Sequence, residues 1–488
     1  MNMKRAEITV FLSMALILIV SFILGIMEIT VIHISKNMNR LETDRAVFSL
    51  FGEYQKDLLE DYHVFSIDGT YETGDYSEDR LTGRLHYYGS ANTDHEITGI
   101  QFLTDNHGQA FCEQVLAYME ECYGIGLIRE FAGSTEEWEE QCIEGENMQA
   151  EGEKMTGQYE ELKKAAEEVS SELPADETAD PEDGQTGNPF QCLEEIEKSG
   201  ILSVVMPQDM ALSGKEIRLE DQVSVREINT GYGSFPARTG TEGIAERLLF
   251  NEYILQNFRN ASENRGSDKE QESADINAED AAGDQPRSLE YEAEYIISGK
   301  SSDKQNLESV LTKIFLMRLA LNYVYLIGDT GKQAEAEMFA GVIALLLLMP
   351  EGTELVKQLI LFAWAAGESA VDIRTMLSGK KTALIKSEEN WQVSLPELLT
   401  LGGSSGKSAG EDVQGGVSYE DYLRIFLFME DQDHTAMRAL DRIEENLADV
   451  HGMDYFRADY CVTKLKLKNT GVIFGDLTYT YPAYFGYE

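Results

Sequence analysis

If the chain performs chemistry, a thin set of side chains must supply it. The 7 histidines are His33, His63, His86, His95, His107, His434 and His451. They form no H-E-x-x-H and no paired spacing that would put two imidazoles on one helix face. Three lie in a strand-rich stretch and could converge on a metal; isolated core or surface histidines are the better reading. Asp431-Gln432-Asp433-His434-Thr435 opens like a calcium loop. Ala436 then stands where the turn needs Gly, and Arg442 where a bidentate Glu should close the cage. Ser378-Gly379-Lys380-Lys381 matches S-x-x-K by letter. That nucleophile must open a helix, whereas this Ser-Gly pair follows a helical run and reads as its stop. Gly402-Gly403-Ser404-Ser405-Gly406 spells G-x-S-x-G inside a Gly/Ser-rich loop, without the strand and helix that make a nucleophile elbow. The loop GYGSFPARTG, Gly231 to Gly240, fits neither phosphate-loop pattern and reads as a turn leading into a helix. The 5 cysteines, Cys112, Cys122, Cys142, Cys192 and Cys461, include no C-x-x-C. A Cys112–Cys122 bridge and two ordinary thiols both remain open. The sequence therefore nominates no catalytic residue, no cofactor-binding residue and no metal ligand, and the expectation is a non-enzyme without a cofactor.

The element that organises the rest is Ile8 to Met27, about 20 residues without a charge. A helix of that length, rising ~1.5 Å per residue, spans a ~30 Å hydrocarbon core. Only a helix or a closed barrel satisfies backbone polar groups in lipid, so the segment reads as one transmembrane helix and the bilayer as its first partner. A cleaved signal peptide is the rival. The run exceeds the usual ~7–15 apolar residues of such peptides, and no A-x-A-like site follows it. Prepilin-type processing is a third option, although Arg5-Ala6-Glu7 lacks the Gly that would precede the cut. Lys4 and Arg5 on one side face Lys36, Arg40 and Arg45 on the other, so the positive-inside bias is nearly balanced. The short basic leader suits the inside, which places a large C-terminal domain outside the cell membrane. Glu28 is the one ionisable group at the membrane edge able to pair with a partner helix; snorkelling to the interface is the simpler account. Phe11, Leu18 and Phe22 are candidate contacts within the span.

Formal net charge is −47, from 87 acidic and 40 basic residues. That balance repels phosphates and argues against nucleic acid as a partner. Composition and periodicity divide the chain into eight stretches. Residues 1–33 form the anchor, and 34–133 a stalk helix with a small strand-rich region. Residues 134–190 are an acidic disordered insertion whose first part could also be a charged helix. A mixed helical segment (191–259), a polar linker (260–288) and a helical core (289–401) follow. A flexible loop (402–416) precedes helices and C-terminal strands (417–488). Past the membrane, Ile34, Met38, Leu41, Phe48, Phe51, Leu58 and Tyr62 recur at helical spacing. This stripe is either the face of a stalk or a face packed on its own domain. Strands are expected at Val64–Ile67, Leu85–Tyr88, Glu96–Leu103, Tyr291–Ile297, Tyr460–Lys468 and Val472–Phe485, the last two closing a sheet with the early ones. The fold class is α+β, largely helical with a small sheet. Ala340–Met349 is too short to cross a bilayer and reads as buried helix.

Six blocks together carry a resemblance: ITVFLSMALILIVSFILGIMEI, FSLFGEYQKDLLEDYHVFSID, RLLFNEYIL, YEAEYIISGKSSDKQNLESVLTKIFLMRLALNYVYL, SYEDYLRIFLF and the terminal YFGYE. The chain resembles an uncharacterised family of Gram-positive single-pass membrane proteins with a pilin-like N-terminal helix. It is similar in that respect to TadE/TadG-like components of tight-adherence pili. The resemblance implies an extracytoplasmic structural or assembly protein, an accessory or pseudopilin-like part of a pilus or related secretion system. Other pilin-like or assembly-platform membrane proteins would be its partners. An envelope enzyme or an anchored ligand-binding domain is the alternative.

Overall fold

The computed structural model describes residues 3–89, 92–133, 135–171, 189–207, 210–236, 243–262, 287–346, 353–398, 409–473 and 477–487. In chain order the first elements are α1 (Met3–Phe51), α2 (Lys56–Tyr62), β1 (Ile67–Asp68), α3 (Glu78–Tyr88) and β2 (Thr93–Phe102). Next come α4 (Asp105–Gly133), α5 (Thr135–Ser171), α6 (Gln191–Ser199), α7 (Leu202–Val205), α8 (Ile244–Asn257) and α9 (Glu292–Ser298). The remainder are α10 (Asp303–Gly328), α11 (Thr330–Leu346), α12 (Thr353–Leu377), α13 (Leu395–Leu398), α14 (Tyr419–Met429), α15 (Gln432–His451), β3 (Cys461–Val472) and β4 (Thr478–Gly486). The expected α+β class holds. The chain folds into two compact units, each assembled from separated stretches. One is Met1–Tyr118 with Glu227–Thr239 and Asn446–Glu488; the other is Met119–Arg226 with Gly240–Glu445. The units interleave along the chain because β3 finds its ladder partner β2 at the opposite end of the sequence, the sheet closure expected of the C-terminal strands.

In the first unit β3 is central. Its long antiparallel ladders to β2 (Ile97↔Leu467) and β4 (Leu467↔Ala483) occupy opposite edges. Val462 pairs with both Phe102 and Ile67, so β1 shares the β4 edge. Leu465 and Leu467 join Ala46, Val47, Leu50 and Phe51 of α1 and Leu81 and Leu85 of α3 in one apolar core. Burying a side chain of this size contributes about 1.5–3 kcal/mol, so this layer of helices holds the sheet. Apolar and basic residues alternate along β3, yet Lys464 is only 2% exposed and its ammonium lies 2.7 Å from the buried Glu113 carboxylate. Lys468 pairs with Glu96 on the surface.

The second unit is a helical bundle. Ser302 caps α10 by accepting from Gln305 N. α10 packs on α12 and on α5, and Tyr159 of α5 stacks on Phe362 of α12 at 4.5 Å. Gly152 lets α5 approach α10, since a Cβ there would stand 2.3 Å from Leu316 O. Residues 135–171 are helix, packed through Gly152, Met155 and Tyr159, so the first part of the insertion takes the charged-helix reading rather than disorder; 172–188 lie outside the described residues. Residues 263–286 of the linker expected over 260–288, and 402–408 of the loop expected over 402–416, lie outside them too. α10 is long and apolar enough to span a membrane, yet over half of its most apolar window is buried, as befits a core helix. Ala336 and Ala340 of α11 are buried, and the side chains of 342–349 fall outside the described set.

Two expected strands are helices. Tyr291–Ile297 falls in α9, where the alternating Glu292 and Glu294 are buried because they accept hydrogen bonds from Arg259 N and Ala261 N. Leu85–Tyr88 ends α3, whose Leu81 and Leu85 sit one turn apart on the core. Val64–Ile67 contributes only the start of β1. Helix α1 runs on from the membrane segment as expected but stops at Phe51, where Gly52 turns the chain before α2.

Candidate functional site on the anchor helix

α1 is continuous over 49 residues, about 74 Å of axis at ~1.5 Å per residue. It contains no proline, and its apolar half is bare. Phe11, Leu18 and Phe22 are 73%, 71% and 67% exposed, and none of the most apolar window is buried. An unpartnered apolar surface of that length is what a bilayer covers, so α1 carries a candidate membrane span near the N-terminus. Glu28 is exposed just beyond it.

Past Ile34 the helix has two faces. Asn39, Thr43, Ala46, Val47 and Leu50 are buried against the sheet. Ile34, Met38, Leu41 and Phe48, spaced by four, three and seven, are exposed. At ~3.6 residues per turn these two sets lie roughly half a turn apart. Ile34, Met38 and Leu41 therefore point away from their own domain; Phe48 is exposed but its ring edge meets Phe485 at 6.3 Å, and Phe51, Leu58 and Tyr62 are buried. The buried face is built from smaller and more polar side chains because the sheet hydrogen-bonds to it. Thr43 Oγ1 is 2.7 Å from Tyr481 Oη, which also donates to Asn39 O; Asn39 Nδ2 donates to Val472 O, and Tyr479 Oη to Lys36 O. The Lys36 ammonium and the Arg40 guanidinium lie over the Tyr479 and Tyr481 rings at 5.3 and 5.8 Å. Extending the helical period downwards, Phe11, Leu18 and Phe22 continue the sheet-packed side rather than the stripe. Reading the sequence as an apolar run could not separate these sides.

Groups that could do chemistry are arranged otherwise. At the start of α4, Asp105 accepts from Phe102 N and Gly231 N at 2.8 and 2.9 Å. Burial pushes its carboxyl above the ordinary range, against those two donors. Asn106, His107 and Gly108 follow with φ of 51°, 58° and 80°, a left-handed turn that costs about 1–3 kcal/mol for each non-glycine residue. Beside it, Gln109, Thr230 and Tyr232 help line a cavity of about 110 Å³. That is well below the ~300–1,000 Å³ of ordinary ligand pockets and suits a few waters. The loop from Gly231 pairs with the β2 edge, Ile100 and Tyr232 exchanging two 2.9 Å bonds, so this is an added bridge rather than a phosphate cradle.

In the second unit Arg318, Lys386, Glu368 and Asp372 form a fully buried quartet. Arg318 Nη2 and Nε donate to Asp372 Oδ2 at 2.6 and 3.0 Å; Lys386 Nζ reaches Glu368 Oε1 at 2.5 Å and Asp372 Oδ1 at 2.7 Å. Glu368 also accepts from the N–H groups of Gln392 and Val393, and Arg318 donates to Ala383 O and Leu384 O. Two positive and two negative groups balance, and the network fastens the 383–393 segment to α10 and α12. Burial raises the Glu368 carboxyl, whereas Arg318 and Lys386 together hold Asp372 below the usual range. Glu294 is a second buried acid, raised to about 7 by burial, with Ala261 N and Tyr419 Oη donating to it. The sequence reading passed over both clusters; charges inside the apolar runs around Arg318 and Glu368 were the available signal.

The lettered motifs stay structural. Ser378 Oγ donates to Arg374 O at the end of α12, and Gly379 follows at φ 76°, a helix stop as expected. Asp431 caps α15 by accepting from Asp433 N. His95 bonds Asn469, His63 stacks on Tyr118, and no cluster able to hold a metal occurs among the described residues. Cys112, Cys122, Cys192 and Cys461 are free thiols, so the Cys112–Cys122 bridge is not formed.

Fold and surface together define an α+β protein with an N-terminal candidate membrane helix that continues into its own sheet domain. Residues 179–472, more than half of the chain, match DUF5702, a family of unknown function, and the chain belongs to that family. No curated protein and no solved structure matches it.

Proposed function

We propose that this chain is a membrane-anchored, extracytoplasmic structural or assembly protein. Its helix α1 packs with apolar helices of other membrane-borne subunits, as an accessory or pseudopilin-like component of a surface appendage or related secretion system. The observation that carries the reading is the outward stripe Ile34, Met38, Leu41 and Phe48, opposite the sheet-packed face and continuous with the bilayer segment. An anchor needs only the span. An exposed apolar seam at three-four spacing beyond the membrane is what a partner helix would cover. A membrane-anchored envelope enzyme is the competing class; the modest cavity beside Asp105 and the structural roles of the lettered motifs support the assembly reading over it.

The test is site-specific photocrosslinking in the native membrane, with the crosslinker placed at Met38 or at the buried Thr43, and protease added from outside only. The reading expects Met38 to link to a membrane protein bearing an apolar helix, Thr43 to link only within the chain, and the large domain to be cut from outside. It is overturned if Met38 links to nothing but lipid, or if the domain is protected.

A further inference from the structure

We propose that the cavity beside Asp105 binds a compact organic cation, a primary ammonium group. The site lies wholly within the first unit and is independent of what covers α1. Strand register aims a polar side chain into it. Ile100 and Phe102 of β2 pack in the apolar core with α1 and α3, so Gln101 between them faces the other side of the sheet. That side carries α4 and the loop at 230–236: Lys464, the ladder partner of Gln101, donates to Glu113 of α4 and to Pro236 O. Gln101 lines the cavity there and is 5% exposed, and its Oε1 has no hydrogen-bond partner among the described residues. A buried acceptor that has lost its hydration without gaining a donor favours a donor brought by a ligand.

The other groups around the cavity accept as well. Each Asp105 oxygen takes one backbone N–H and keeps a further lone pair. Asn106 Nδ2 donates to Gln109 Oε1, and Gln109 Nε2 to Glu113 Oε1, which leaves the side-chain oxygen of Asn106. Gln101, Asp105 and Asn106 thus bring acceptors to one small space, and an ammonium carries a matching set of N–H donors. The charge also fits. Glu113 and Lys464 neutralise one another, and the partial positive charge at the head of α4 offsets only part of the Asp105 carboxylate. Burial has raised that carboxyl, so a cation beside it restores stabilisation that two amides leave incomplete. A cavity of about 150 Å³ admits benzene, so about 110 Å³ suits a group of roughly four heavy atoms, such as an aminoalkyl end. Either a free small amine or a lysine side chain carries that chemistry.

The test is saturation-transfer NMR on the full-length chain in detergent micelles, with ethylammonium as the probe and empty micelles as background. Ethanol and acetate are the uncharged and anionic controls. Ethylammonium alone should bind, at the millimolar affinity so small a probe allows. Gln101→Met removes the unpartnered oxygen at similar volume, and Asn106→Gly removes its oxygen from a position of φ 51° that glycine adopts without strain. Both variants should keep the thermal midpoint and bind about tenfold more weakly; if Gln101→Met fails to fold, Asn106→Gly carries the comparison. Competition by Nα-acetyl-lysinamide assigns a lysine side chain, and ethylammonium binding without that competition assigns a free amine. No signal above empty micelles, equal binding of ethanol or acetate, or full binding by the folded variants overturns the ammonium site.

Discussion

Replacing Lys386 with Met tests whether the buried quartet holds the second unit together. The thioether keeps most of the volume of a side chain that is 2% exposed and removes its ammonium, 2.5 Å from Glu368 and 2.7 Å from Asp372. Asp372 retains Arg318 and Asn322, so the unpaired charge falls on Glu368, left with two backbone N–H donors. Each lost hydrogen bond to a charged group is worth about 1.5–3 kcal/mol, and removing one partner of a buried pair costs about 3–5 kcal/mol. We expect a loss of about 3–5 kcal/mol at pH 8. Glu368 already has its proton affinity raised by burial, and losing Lys386 raises it further. An acid that binds its proton more tightly when folded gains stability as pH falls, so the deficit should shrink towards pH 5. Glu368→Gln in the Lys386→Met background removes the orphan charge and should recover most of the loss, a coupling that a double-mutant cycle reads directly. The assay is urea unfolding of the detergent-solubilised chain followed by tryptophan emission. Trp364 and Trp391 both donate to Val393 O at 2.7 Å, beside the quartet, and report its opening. A loss under about 1 kcal/mol, or one neither pH-dependent nor rescued, would refute the reasoning, since breaking a truly desolvated pair cannot be that mild.

Glu294→Gln should abolish a decline in stability between pH ~4.5 and ~7, because the native carboxyl, raised to about 7, holds a proton that the unfolded chain has released. Thermal midpoints of variant and wild type should coincide below that window and differ by a constant amount above it. Leu18→Arg places a charge near the centre of the span at about 2.5–3.5 kcal/mol on insertion scales. It should increase the carbonate-extractable fraction, whereas Leu18→Ala should leave extraction nearly unchanged. Gly152→Ala puts a Cβ 2.3 Å from Leu316 O and must spread α5 from α10; about 1–3 kcal/mol of denaturant stability should be lost. Leu41→Glu, on the exposed stripe, should change stability by no more than about 0.5 kcal/mol while weakening crosslinking from Met38.

Local physics made part of this molecule legible in its residues. The span Ile8–Met27 needs no partner to be recognised, because a helix satisfies its own backbone and the lipid asks only for apolar side chains. Helices α10 and α12 and strands β2 and β3 were readable from periodicity, which is set within a few residues. The helical spacing of Ile34, Met38, Leu41 and Phe48 was readable too, but its direction was not. Whether a stripe faces its own domain or the outside depends on where the sheet docks, and Tyr481 and Tyr479 chose the opposite face through hydrogen bonds from more than 430 residues away. Tertiary contact likewise made α9 a helix with buried glutamates, set Gly152 of α5 against α10, and gathered Arg318, Glu368, Asp372 and Lys386 into one neutral cluster. Each of those outcomes is a pairing between distant residues, and a pairing has no signature in either segment alone.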